Sequence, residues 1–259
     1  MRDQGSEEEL QNLIDCGGNV WVVGDVHGYY ETLEKLVQKL ELGEGDAVVM
    51  LGDLIDRGPA SAQVVRYVRR TGWLHSIRGN HEQMMIQGFD ESSFFRDTSM
   101  DSITWYRSGG NRTEASYIAL YGDGPEVLEA ASSDVDWMKG LATEIVLRDW
   151  RMVHAGYDQN LDVEGQDEGV HMYARKQFYT SRNPIDPKRT ILFGHTPTLK
   201  HLHQDDSKAG EVWFSDVRLE DDRPMAIGMD TCLYHDLDFP KVLSAFNLQT
   251  GVVTHQNRV

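Results

Sequence analysis

The chain has 259 residues, 40% of them hydrophobic, enough to fill the core of one large α/β domain or of a core with a small subdomain. A formal net charge of −17 sets most of the surface against nucleic-acid phosphates, so a duplex or a long single strand is a poor partner. No run approaches the roughly 20 apolar residues of a membrane span, residues 2–9 are acidic rather than signal-like, and Cys16 and Cys232 are too few for a disulfide framework; a soluble protein of the reducing cytoplasm is expected.

Apolar, β-favouring runs at Val20–Val23, 47–51, 74–77, 151–153 and Thr190–Phe193 predict five buried strands. After the first comes a helix over 30–42, with Leu33, Leu36, Val37 and Leu40 on one stripe. After the second, a helix over 60–70 begins behind Pro59 and turns Val64, Val65 and Val68 inward. Strand, polar motif, helix and strand again is the βαβ order. From 83 to about 141 the pattern breaks into short helical pieces around Gly109-Gly110, Gly122 and Gly124, which reads as an inserted helical cap. Its aromatic group, Trp105, Tyr106, Tyr117 and Tyr121, reads as packing of that insert, with the wall of a substrate cleft as the alternative. Beyond it, 143–153 reads as a hairpin turning at Asp149-Trp150, and 242–255 as another turning at Thr250-Gly251. The acidic runs at 7–9, 90–91, 205–206 and 220–222 read as solvated loops.

Each of the five strands ends in a polar block. In order these are Gly24-Asp25-Val26-His27-Gly28, Gly52-Asp53-Leu54-Ile55-Asp56-Arg57-Gly58, Gly79-Asn80-His81-Glu82, His154-Ala155-Gly156 and Gly194-His195-Thr196. Strand ends of an α/β sheet are where sites are built. Any one block is a turn with polar residues; five in succession supply ligands enough for two metal ions. Carboxylate, carboxamide and imidazole without thiolate suit Mn²⁺, Fe or Zn²⁺. A carboxylate such as Asp53 can bridge two ions about 3.5–4 Å apart, and ions so placed move the pKa of a shared water toward roughly 7, so no serine or cysteine nucleophile is needed. His75, His171, His201, His203, His235 and His255 stand outside the blocks and read as surface or satisfied core residues, with His201 and His203 at a strand end.

The five blocks resemble those of the calcineurin-like metallophosphoesterases, and Gly-Asp-x-x-Asp-Arg-Gly followed by Arg78-Gly79-Asn80-His81-Glu82 is similar to the phosphoprotein phosphatase branch. Residues 105–117, 191–198, 227–231 and 243–248 look like segments of its bacterial and phage members. The resemblance implies a single four-layer α/β domain over 1–259, two sheets packed face to face with helices outside and a small helical insert. It implies one metal on Asp25, His27 and Asp53 and a second on Asp53, Asn80, His154 and His195, with Mn²⁺ the leading candidate and Fe or Zn²⁺ the alternatives. It makes His81 the general acid and Asp56 the carboxylate that holds and charges it. Arg57 corresponds to a phosphate clamp, and Arg175, in Tyr173-Ala174-Arg175, to a second one where the family often has Trp at the position of Tyr173. Arg78 reads as structural.

The implied reaction is hydrolysis of a phosphate ester by in-line attack of a metal-bridging hydroxide. The expected substrate is phosphoserine or phosphothreonine in a protein, with phosphotyrosine also considered. The alternative is a dinucleoside polyphosphate, as in the related tetraphosphatases, where the position of Asp56 is often Ala. A binding module with dead chemistry is a further class, disfavoured by the intact ligands, His81 and Asp56. The sequence leaves the oligomeric state open.

Overall fold

In a computed structural model, residues 1–90, 99–236 and 238–259 are described. Residues 91–98 of the expected insert, with Glu91 of the second acidic run, lie outside them. Two five-stranded sheets are built from β1 (Val20–Val23), β2 (Ala47–Met50), β3 (Leu74–Ser76), β4 (Glu144–Val146), β5 (Trp150–Val153), β6 (Thr190–Phe193), β7 (Trp213–Phe214), β8 (Ala226–Gly228), β9 (Val242–Asn247) and β10 (Val253–Asn257). The first runs β10-β9-β1-β2-β3 and the second β4-β5-β6-β8-β7. Strands β1, β2, β3 and β5, β6, β8 are parallel, with antiparallel strands at the remaining positions.

Burial explains the layering. A strand's successive side chains point to opposite faces, and a strand buried on both reads as continuously apolar. In β1, Val20 and Val22 join Val49, Met152, Leu192 and Ile227 in a core between the sheets, whereas Trp21 and Val23 pack outward with Leu33, Leu36, Val64 and Val65. Those outer partners belong to α2 (Tyr30–Lys39) and α3 (Ser61–Arg70). Behind the second sheet, Ile191 and Phe193 pack on Tyr157 and Phe178. Helix, sheet, sheet and outer elements form the expected four layers. No described helix is long and apolar enough to cross a membrane.

Several boundaries differ from the sequence reading. Residues 7–9 lie not in a loop but in α1 (Gln4–Asp15), which starts where Asp3 accepts hydrogen bonds from the N–H groups of Gly5 and Ser6. Glu7 is buried there because its charge is met: Arg2 donates to it at 2.9 and 2.6 Å, and the Val146 N–H at 2.9 Å. The expected insert begins inside a helix, since α4 (Asn80–Gly88) starts at Asn80 and continues past residue 83. The insert itself contributes α5 (Met100–Trp105), a π-type turn over Tyr106–Gly110, α6 (Asn111–Tyr121) and α7 (Pro125–Gly140). His201 lies in a second π-type turn, Thr198–Leu202, and His203 just after it, rather than at a strand end. Both hairpins form, the first turning at 147–149 and the second through Gly251 at φ 70°.

A buried cation anchors the second sheet. Arg151 on β5 is fully buried; it donates to Asp186 at 2.6 Å, to Glu144 at 3.0 Å and to Glu164, while the Tyr157 hydroxyl donates to Glu144 at 2.7 Å. Burial alone would raise the Asp186 pKa, but the hydrogen-bonded Arg151 lowers it overall. A carboxyl depressed in the folded state stabilises above its unfolded pKa of about 3.9 and loses that contribution as pH falls through the folded value. Asp186→Asn should therefore cost about 1.5–3 kcal/mol at pH 7, the usual worth of a hydrogen bond to a charged group, and much less near pH 3. Denaturant unfolding at the two pH values checks this; an equal cost at both would refute it.

Candidate metal centre

All five blocks meet at the C-terminal ends of β1, β2, β3, β5 and β6. The backbone there is unusual. Of the eight non-glycine residues with positive φ among those described, five are His27, Asp53, Asp56, Arg57 and His195. Strain of this kind persists where surrounding structure over-determines it, and it gathers at functional sites. Gly194 must lack a side chain, because a Cβ there would overlap Asp25 Oδ1, whose carboxylate accepts the His195 N–H at 3.0–3.1 Å.

Asp53 lies at the middle. Its Oδ1 is 3.3 Å from His154 Nε2, and its Oδ2 is 3.6 Å from His27 Nε2 and 3.8 Å from His81 Nε2. Glu82 fixes the Asp53 loop by accepting the N–H groups of Asp53, Leu54 and Gly79, each at 2.8 Å. Asn80 Oδ1 is 2.9 Å from His154 Nε2 and 2.7 Å from His195 Nδ1. His27, Asp53 and His81 form one group of convergent donor atoms, and Asp53, His154 and His195 a second.

The tautomers favour metal binding. His27 Nδ1 lies 2.9 Å from the Ile55 carbonyl and His154 Nδ1 2.7 Å from that of Leu51, so each ring donates on that side. Each Nε2 then turns a lone pair into the cavity, that of His154 toward Asp53 and Asn80 and that of His27 toward Asp53 and the Arg57 guanidinium. Lone pairs facing lone pairs are what a bound cation satisfies, and a backbone carbonyl on the far nitrogen is the usual partner of a ligating histidine. Burial lowers the pKa of His27, aided by Arg57; of His154, aided by His81 and Arg175; and of His195, aided by His154 and Arg175. Neutral imidazole is the ligating form.

His81 behaves differently. Burial pulls its pKa down too, but Asp53 and the hydrogen-bonded Asp56 raise it overall. The Nδ1 to Asp56 Oδ2 distance is 2.6 Å. Asp56 is in turn gripped by the insert: the Trp105 indole N–H donates to Oδ1 at 3.1 Å, and the Thr113 hydroxyl at 2.6 Å. The Asp56 N–H lies 2.9 Å from the Thr113 hydroxyl and 3.0 Å from that of Ser61. Trp105 thus packs the insert, as its sequence context implies, and reaches the site as well.

Arg57 places its fork between two imidazoles, Nη1 2.8 Å from His27 Nε2 and Nη2 2.9 Å from His81 Nε2. Arg175 is exposed and close enough to act on the charge of His154, His195 and Asp230. Arg78 lies apart, donating to Glu168 at 2.7 Å. Asp230 is a residue the sequence reading left without a role. It is buried after β8, its Oδ2 has no hydrogen-bond partner, and burial pushes its pKa up to about 6. Burial, Asp230 and Asp53 likewise push Asp25 well up. The charged forms of Asp25 and Asp230 are therefore poorly compensated in the cavity, which divalent cations would relieve. The available signal for Asp230 was that it follows a sixth strand in the manner of the other blocks.

Comparison with known proteins agrees with this geometry. Residues 18–229 match the family described as calcineurin-like phosphoesterase. Serine/threonine-protein phosphatase 1 of Salmonella typhimurium is 29% identical over 207 residues, 75% of this chain and 87% of that protein. The symmetrical bis(5'-nucleosyl)-tetraphosphatase of Cronobacter sakazakii is 36% identical over 88 residues, 33% of this chain and 30% of that protein. Two solved structures share the fold: a metallophosphoesterase from Sphaerobacter thermophilus (TM-score 0.54, 18% identity, 92% of this chain and 87% of that one) and a protein serine/threonine phosphatase from Saccharomyces cerevisiae (TM-score 0.52, 13% identity, 99% and 88%). The family match and the two Asp/His groups together point to a dinuclear metal site. With five ligand-bearing blocks converging on one cavity and the family match running through all of them, the chain belongs to the calcineurin-like phosphoesterases and is a phosphoric ester hydrolase.

Proposed function

We propose that the chain is a protein phosphatase that removes phosphate from phosphoserine and phosphothreonine, with phosphotyrosine as a further substrate, in a single domain whose helical insert caps the cleft. The observation that carries this reading is the intact His81–Asp56 pair at 2.6 Å, held by two donors from the insert. A protein alkoxide is a poor leaving group, and a buried, carboxylate-backed imidazole suits its protonation. The 87% coverage of the Salmonella phosphatase supports it, whereas the sequence likeness to the Cronobacter sakazakii tetraphosphatase spans 33% of the chain. Free Cys16 and Cys232 support a cytoplasmic setting.

In this reading Asp25, His27 and Asp53 would hold one divalent ion, and Asp53, Asn80, His154 and His195 the other. Such ions, Mn²⁺ or else Fe or Zn²⁺, would activate water for attack at neutral pH. Arg57 and Arg175 orient the phosphoryl group, Arg57 with a planar fork that matches two of its oxygens. Asn80 also faces the substrate. His81 protonates the departing oxygen from Nε2 while Asp56 keeps its Nδ1–H in place.

Substrate choice is testable through charge. A long polyanion gains repulsion from a −17 chain with each added phosphate. A phosphoserine peptide should therefore show the higher kcat/KM against diadenosine tetraphosphate. The gap should narrow on raising salt to 0.15 M, where the Debye length is about 8 Å. A tetraphosphate rate many-fold higher at both salts would give the function to the dinucleoside polyphosphates. Absence of turnover of p-nitrophenyl phosphate with or without Mn²⁺ would mark a binding module.

A further inference from the structure

The loop after β8 brings an aromatic ring beneath the phosphate clamp. The Arg57 guanidinium carbon lies 3.9 Å from the centroid of Tyr234, within cation–π range. The same ring meets His27 edge-on, centroids 4.5 Å apart at 78°, and is backed by His235 at 4.4 Å. Its loop is pinned, since Arg258 donates to the carbonyls of Leu233 at 3.3 Å and His235 at 3.4 Å, and the Cys232 N–H donates to Asp230 at 3.0 Å. Tyr234 lies in none of the five polar blocks.

Arg57 needs such support. Its backbone is left-handed at φ 66°, so the start of its side chain is set by the loop. Its stem runs against the insert: a Cβ on Gly109 would come within 2.7 Å of the Arg57 N and 3.0 Å of its Cγ. Beyond the stem, rotatable bonds would let the guanidinium turn, and a clamp that turns loses rotamer freedom each time it binds. The Tyr234 face restricts that turning while the forked edge meets His27 and His81 at 2.8 and 2.9 Å.

We propose that Tyr234 is a positioning residue for phosphate capture, an aromatic platform that sets the plane of the Arg57 guanidinium before substrate arrives. This rests on the assignment of Arg57 as the clamp. The ring face carries the contribution in this proposal, although the hydroxyl also lies near enough to interact with Arg57. It acts on binding of the phosphoryl group in the ground and transition states alike, which raises KM on removal and spares kcat.

Tyr234→Leu and Tyr234→Phe separate face from hydroxyl. In metal-loaded protein, Tyr234→Leu should raise KM for p-nitrophenyl phosphate and the Kd for inorganic phosphate, read by calorimetry, by about 3- to 30-fold. Its kcat should stay within about threefold and its metal content should match wild type; Tyr234→Phe should stay within about twofold throughout. Equal damage in Tyr234→Phe, or a fall in kcat with unchanged phosphate Kd, overturns the proposal. An Arg57→Ala background guards against a misfolded variant: Tyr234→Leu should add nothing to the phosphate Kd there, and additive losses also overturn it. Inorganic phosphate and p-nitrophenyl phosphate carry neither peptide nor nucleoside, so the result is independent of the choice between phosphoprotein and dinucleoside polyphosphate.

Discussion

Asp53→Asn should abolish both metal retention and hydrolysis while the protein stays folded. Asp53 is the carboxylate common to both Asp/His groups, with oxygens 3.3 to 3.8 Å from the Nε2 atoms of His154, His27 and His81. Asn keeps the shape and can still accept the His81 N–H, which donates to Oδ1 at 3.0 Å. It loses the charge and one of the two oxygens that would serve two ions. Burial raises the Asp53 pKa, but the surrounding imidazoles of His154, His81, His27 and His195 lower it overall, so the native group is ionised across the neutral range. Elemental analysis should show metal lost from the variant, with turnover at the level of the blank and an unchanged circular dichroism spectrum. A full complement of metal in Asp53→Asn would remove Asp53 from the centre. His195→Ala should behave in the same direction.

The second large effect is expected at His81, with a different signature. His81→Asn should lower kcat by roughly 10²- to 10⁴-fold, the usual range for a general acid, and leave metal content unchanged. The loss should be greatest for alkyl phosphates and shrink for nitrophenyl phosphate, whose leaving group needs little protonation. The structural ground is that His81, alone among the four clustered imidazoles, has its pKa raised. Identical losses on alkyl and nitrophenyl substrates would show that His81 has some other role.

The parts of the fold legible in the sequence are those carried by local pattern. β1, β2, β5 and β6 are buried along almost their whole length, so each appears as an apolar run that stops at a polar block. α1 was not legible because few residues hold it down, chiefly Leu10 with Leu13 and Ile14 packed nearby, and its acidic first turn resembles a solvated loop. Its buried Glu7 depends on Val146, 139 residues away. The same distance problem hides the supports of the site. Asp56 meets Trp105 and Thr113 across 49 and 57 residues, and no periodicity joins them. Asp230 and Tyr234 reach the cavity only because β8 lies beside β6 in the second sheet. Residues proposed to contact the reaction sit in dense local motifs, whereas those that support them in the structure are scattered along the chain.

The two donors from the insert onto Asp56 bear on how such an enzyme can diversify. A cap that served only as a wall could be exchanged for another to suit a new substrate, leaving turnover intact. If the insert walls the cleft and His81 is the acid, as proposed, Trp105 and Thr113 serve the wall and the proton supply together, and drift in the cap is read out as drift in rate. Chimeras that transplant residues 99–121 from a relative should retain catalysis only when the donor brings its own indole and hydroxyl at these two places. Selection on specificity is thereby tied to selection on speed, and the lineage is confined to caps that keep this pair.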